Sequence, residues 1–252
     1  MPAATQKPAV DLERLALWAA ALLPLGFLAL LVIAKLAAPG GYLYLTREDG
    51  PVEWLTFLVY LAALPFALAL ARRLLQAQRP LLALLYGLLA LGMFLVAMEE
   101  ISWGQRVFGV ATPEGLAGVN EKQELNFHNI GGFPLHAAFI AVGFYGAFAR
   151  LLAPAFLNRR YPLAVELLTP PRALFLYFFV PMTLYAYYEY VYYRHVAPLG
   201  VDWATFWAEG HFIIGKDQEP IELLLALGFL LFVAWNWYRS DALPASARER
   251  TA

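Results

Sequence analysis

The stretch Leu81-Leu82-Ala83-Leu84-Leu85-Tyr86-Gly87-Leu88-Leu89-Ala90-Leu91-Gly92-Met93-Phe94-Leu95-Val96-Ala97-Met98 is uncharged throughout and runs directly into Glu99-Glu100. Roughly 18–22 apolar residues suffice for a helix to cross ~30 Å of hydrocarbon. Five further blocks of this kind flank it, at Leu15–Leu36, Val52–Ala71, Phe133–Leu152, Ala173–Val191 and Ile221–Tyr238. With lipid as the solvent, backbone polar groups must be satisfied within helices. The expected fold is therefore all-α: a polytopic integral membrane bundle of about six transmembrane helices, forming a single domain over residues 1–252. The first block is longer than the apolar core of a signal peptide, and no small-residue cleavage site follows it, so it reads as a retained signal anchor.

Composition agrees. Of 252 residues, 61% are apolar or aromatic and 15% are charged. A soluble domain is about half apolar and about a quarter charged. The net charge of -1 offers no basic balance for nucleic acid. The absence of cysteine excludes disulfides, thiolate nucleophiles and thiolate metal sites. Phosphate-binding glycine loops, HExxH and GxSxG are absent as well.

Lys and Arg set the orientation. With the N-terminus inside, inner segments hold twelve of them and outer segments six, which places both termini in the cytoplasm and the bundle in the inner (plasma) membrane. The same topology puts fourteen of the nineteen acids, and all four histidines, at the outer side. Two long outer loops result, at residues 99–132 and 192–220, where function is expected to sit. Thr112-Pro113-Glu114 reads as an N-cap, a first-turn Pro and an acidic first turn. Asp202 reads as the cap of a short interfacial helix whose Trp203, Phe206 and Trp207 share one face.

Candidate chemistry begins at Glu99-Glu100, where acids at a helix C-terminus oppose the macrodipole and need a partner. If the helix continues, Glu99, Ser102, Trp103 and Arg106 share a face. On a helix, Asn120, Glu124 and His128 would form a polar stripe in which the carboxylate orients the imidazole. Glu53, Glu189 and Glu222 stand near the outer ends of three other spans and could converge with the acidic pair on one pocket. Tyrosine hydroxyls flanking Glu189 are candidate donors to it. The segment Arg47–Leu55 aligns weakly with Lys216–Leu224, pairing Pro51 with Pro220 and Glu53 with Glu222.

The acidic pair and a following arginine resemble the EExxxR motif of the CPBP intramembrane proteases, the family of the CaaX prenyl endopeptidase. The resemblance implies a glutamate that activates water. It stops at the acidic pair: Arg106 lies two positions beyond the motif's arginine, and none of the four histidines has the family's FxxxH spacing.

The expected function is a membrane-embedded enzyme with an outer-face carboxylate and histidine site, hydrolysing or transferring a group on a lipid or lipid-linked substrate. Glu99, Glu100, His128 and His211 are the expected catalytic residues. Arg106, Glu124, Glu189, Glu53 and Glu222 are the expected substrate-binding residues. Any divalent metal ion would take His128, His211 and Glu100 as ligands. A proton-coupled transporter and a non-catalytic assembly subunit are the alternatives.

Overall fold

The computed structural model describes residues 8–120, 122–196, 198 and 213–240. The expected interfacial helix around Asp202, Trp203, Phe206 and Trp207, and His211 beyond it, lie outside the described residues. Six segments are long and apolar enough to cross a membrane: Glu13–Ala37, Pro51–Gln76, Pro80–Glu100, Leu135–Leu152, Pro162–Val196 and Gly215–Arg239. The chain is an all-α, multi-pass membrane protein.

The helices are α1 (Pro8–Ala37), α2 (Pro39–Leu45), α3 (Pro51–Gln76), α4 (Pro80–Glu100), α5 (Gln105–Phe108), α6 (Glu114–Ala117), α7 (Leu135–Leu152), α8 (Ala155–Arg160), α9 (Pro162–Leu168), α10 (Phe175–Tyr187) and α11 (Gln218–Arg239). Proline opens α2, α3, α4 and α9, where its missing N–H has no intrahelical partner to lose. The fifth span begins earlier than the hydropathy pattern predicts, because the apolar turns of α9 precede the Pro170-Pro171 break. It ends in a π-helical stretch, Tyr188–Val196.

The core follows the spacing of small and large apolar residues. Ala63, Ala67, Leu70 and Leu74 of α3 meet Ala83, Ala90, Met93 and Ala97 of α4, and Leu224, Phe232 and Val233 of α11 close against them. Helices α3 and α11 run parallel. Glu53 in the first turn of α3 and Glu222 one turn into α11 lie within electrostatic reach. At the other end Arg73 donates to the Trp237 carbonyl at 3.0 Å and to Ser240 Oγ at 2.7 Å. That end also holds a buried polar knot, in which Tyr86 Oη donates to the Leu167 carbonyl and Asn236 Nδ2 donates to both. Leucines such as Leu15, Leu30, Leu81 and Leu88 are exposed, as a lipid-facing surface requires.

Helix α7 packs on α10 through Gly143, Gly146 and Ala147, small residues that let two membrane helices approach closely. A Cβ added at Gly146 would stand 2.1 Å from the Phe178 ring. Gly146→Val is therefore expected to destabilise the bundle by about 1–3 kcal/mol. Thermal unfolding in detergent should show a lower Tm than wild type. Gly87→Val provides the control, because nothing lies within 4 Å of that position.

Candidate functional site

Two adjacent glutamates end α4, and a helix sends adjacent side chains about 100° apart. The helix does not continue past them. Ser102, Trp103 and Gly104 all adopt left-handed backbone, with φ of 47°, 55° and 74°. Such conformations are unfavourable for non-glycine residues, so neighbouring contacts must hold them. The expected shared face of Glu99, Ser102, Trp103 and Arg106 is thus replaced by a sharp reversal. Trp103 Nε1 still reaches back to Glu99 Oε1, at 2.7 Å.

The other Glu99 oxygen accepts the backbone N–H groups of Phe127, at 2.6 Å, and His128, at 3.1 Å. His128 Nδ1 stands 3.4 Å from it. Glu99 therefore clamps the far limb of the 101–134 loop to the end of α4. The described residues of 118–134 contain no helix, so the expected stripe of Asn120, Glu124 and His128 does not form in that way. The limb is built from turns and a single bridge between Asn120 and Ile130. Asn120 Oδ1 still meets Glu124, by accepting its backbone N–H at 3.1 Å.

Glu124 is the hub of this loop. Its Oε2 accepts from Ser102 Oγ at 3.2 Å, Asn126 Nδ2 at 2.7 Å and Asn129 Nδ2 at 3.1 Å, and its Oε1 pairs with Arg106. Arg106 also pairs with Asp49. Gln105 bridges the loop by donating to Thr112 Oγ1 and accepting from the Leu125 backbone. Helix α6 starts one residue later than expected, after Pro113, which leaves Thr112 free to donate to the Gln123 carbonyl.

Beneath this platform the other acids converge. Glu100 lies within electrostatic reach of Glu53, Glu219, Glu222 and Glu99. These four neighbours come from α3, α11 and the last turn of α4 itself. Glu53, Glu100, Glu219 and Glu222 are each half-buried. They stand at the end of the bundle where α3, α4 and α11 meet. Glu53 is fixed by accepting the Asp49 backbone N–H. Glu222 is fixed by the Tyr185 hydroxyl. Tyr60 lies within electrostatic reach of Glu100 and Glu222. The positive dipole ends of α3 and α11 favour the acids of their first turns, Glu53 and Glu219.

The loop supplies the nearby cations. Lys122 faces Glu53, Glu219 and Glu222, and its Nζ lies 3.3 Å from Glu48. Burial works against its charge, but Glu48 and Glu124 outweigh that and hold its ammonium above the ordinary lysine value. On Glu48, burial is likewise outweighed, by Lys122 and Lys216, and its carboxyl is held below the ordinary range. His128 lies within electrostatic reach of Glu53.

Comparison with protein-family models, with curated proteins and with solved structures found no match.

Two expectations resolve differently. Glu189 takes its contacts from His136 Nδ1, at 2.9 Å, and Arg194, rather than from the neighbouring tyrosines. The tyrosine of that run that does bond a carboxylate, Tyr185, goes to Glu222 instead. Among the described residues, no three of His, Asp and Glu stand together in a way that could hold a metal ion. Glu100 lies among Glu53, Glu219 and Glu222 while His128 sits at the Glu99 clamp, and His211 lies outside the described residues.

Glu219, Tyr60 and Lys122 join these acids only through the fold. Tyr60 carries a usable signal, since seven residues, or two helical turns, separate it from Glu53. A buried ion pair also went unread: Lys35 of α1 lies 2.5 Å from Asp217, which accepts the Tyr42 hydroxyl as well and so pins α1 to the start of α11. Burial, reinforced by Asp217, pushes the Tyr42 hydroxyl above its usual range.

Proposed function

We propose that the chain is a membrane-embedded enzyme that works at the outer leaflet of the plasma membrane, on a lipid or lipid-linked substrate. The observation that supports this reading is that Glu53, Glu100, Glu219 and Glu222, each half-buried, lie within electrostatic reach of one another at one end of the bundle, and the crevice they would form there is part of the proposal. Facing carboxylates can share and pass a proton, which supplies both the acceptor and the donor of general acid–base catalysis. Glu100 is the proposed base, with Glu222 and Glu53 as its proton partners. Glu99, Glu124, Arg106 and His128 are proposed as the frame that holds the loop over the crevice.

Two further observations support it. Below the crevice the core is apolar, through Ala63, Ala67, Leu70, Ala90 and Met93, until the Tyr86–Asn236 knot. A carrier would favour polar groups at the midplane. The excess of Lys and Arg in the segments at the opposite end supports the placement of the crevice on the outer side, with both termini cytoplasmic.

The test is turnover. Purified full-length protein is incubated in proteoliposomes with a total membrane lipid extract, and lipid classes are followed by mass spectrometry. Time-dependent loss of one class with appearance of its product is expected. Unchanged lipids, together with proton or solute flux driven by a gradient, would overturn the enzyme reading in favour of a carrier.

A further inference from the structure

A half-open groove of about 480 Å³ lies between α4, α7 and α11, toward the end of the bundle opposite the acids. Leu85 and Leu89 of α4, Val142 and Gly146 of α7, and Phe229 and Phe232 of α11 line it. Phe178, which packs on Gly146, lines it as well. The volume is within the range of small-molecule sites.

The walls call for an apolar occupant. Pro170 and Pro171 have no N–H to offer the end of α9, and two tyrosine hydroxyls bond there instead. Tyr86 donates to the Leu167 carbonyl at 2.6 Å, and Tyr145 donates to the Leu168 carbonyl at 2.9 Å. Both tyrosines line the groove, so their polar ends are already used. Among the described residues, no buried side-chain polar atom of the lining lacks a partner. What remains facing the groove is hydrocarbon, within spans whose surrounding solvent is lipid.

Charge stands at one mouth of it. Val142, Gly146 and Arg150 follow one another at spacings of four on α7, so Arg150 lies on the groove face about 6 Å beyond Gly146. The rings of Phe148 and Phe175, with centroids 5.7 Å apart, hold this end of α7 beside the start of α10. Arg172 lies in the turn just before that start. Arg150 is half-buried and Arg172 is exposed. Among the described residues neither guanidinium makes a hydrogen bond or an ion pair, and Glu166, the acid within electrostatic reach of Arg150, is already paired with Arg239.

A hydrocarbon groove that ends at two unanswered guanidinium groups matches a molecule with an alkyl chain and an anionic head. Arginine suits phosphate, because its planar fork can bond two oxygens at once. Basic pockets between membrane helices on the cytoplasmic side bind such headgroups, and the excess of Lys and Arg supports that side for this end. A choline headgroup would bring a cation of its own to the two arginines. We propose that the groove between α4, α7 and α11 holds an acyl chain of an anionic phospholipid whose phosphate is bound by Arg150 and Arg172. The site is separate from the proposed acid crevice and does not depend on the enzyme reading.

Phosphatidylglycerol is the probe, with phosphatidylcholine of the same acyl chains as the zwitterionic control. Full-length protein in detergent is mixed with equal amounts of the two, and the lipids retained on the folded protein are counted by native mass spectrometry. Phosphatidylglycerol is expected to be retained about tenfold better, the scale of hydrogen bonds between charged groups. Arg150→Gln should remove most of that preference. Ala141→Trp, at an exposed position in the lining, should fill the groove and lower phosphatidylglycerol retention by about tenfold. Arg72→Gln is the control and should change nothing: Arg72 is an exposed arginine of α3, which contributes no described residue to the groove.

Equal retention of the two lipids, or undiminished phosphatidylglycerol on Arg150→Gln or on Ala141→Trp, overturns the proposal. So does an equal loss with Arg72→Gln, which would mean a general attraction of basic helix ends for anionic lipid. Should Arg150→Gln not fold, Arg172→Gln, at an exposed position, carries the test with an expected loss of about threefold or more, and no loss there counts against the site. Turnover is not needed for this readout, so failure of the enzyme reading leaves it unaffected.

Discussion

Glu100→Gln is expected to lower lipid turnover by at least about a hundredfold, the scale of a lost general base, while expression and membrane insertion stay near wild type. The substitution is nearly isosteric and removes only the ability to hold and release a proton. Among the described residues Glu100 accepts no hydrogen bond, so no structural tie is cut. Its neighbours Glu53, Glu219 and Glu222 would lose a like charge and gain a neutral amide, a change that does not disfavour folding. Initial rates in proteoliposomes, normalised to inserted protein, provide the measurement. Full activity would show that the crevice carboxylates do not act on the substrate. Lost insertion would show that Glu100 serves folding.

Glu124→Ala should act through the loop rather than the chemistry. Glu124 is 8% exposed and receives Ser102, Asn126, Asn129 and Arg106. Asn126, 1% exposed, would retain only its bonds to Ser102 and Asn120. Leaving several buried donors short of an acceptor should destabilise the loop by about 3–5 kcal/mol. The left-handed turn at Ser102–Gly104 depends on those contacts and would open with them. Hydrogen exchange should therefore accelerate across residues 102–129, while the six spans keep their protection. Activity should fall together with the ordered loop, because Lys122 and His128 are carried by it. Unchanged exchange across that segment would mean Glu124 is not the hub.

How much of this was legible in the sequence depended on the physics behind each feature. The spans are set by hydropathy over a fixed length, a local property, and all six blocks are found where the apolar runs lie. The proximity of Glu53 and Glu222 has an outline in the sequence, because Pro51 opens α3 and Pro220 lies in the first turn of the parallel α11, each with a glutamate two residues on. The loop was not legible. Its polar residues fit a helical stripe, but the bonds that decide its shape join residues some twenty or more positions apart, such as Asn126 to Ser102 and Phe127 to Glu99. Nor does the sequence distinguish Glu99 from Glu100. Only the end of α4 and the return of the loop make one a clamp and the other a neighbour of Glu53 and Glu222.

The proposed function requires the acids at the ends of α3, α4 and α11 to be open to water on the outer side of the membrane. The chain contains no cysteine, so a single introduced thiol reports its own surroundings. Glu222→Cys, in intact cells, is expected to react with a small membrane-impermeant methanethiosulfonate reagent. Leu70→Cys, buried in the apolar core, should not react, and Arg79→Cys should react only after the cells are permeabilised. Reaction at Glu222→Cys only after permeabilisation, or reaction at Arg79→Cys in intact cells, would contradict the account by placing the crevice on the cytoplasmic side.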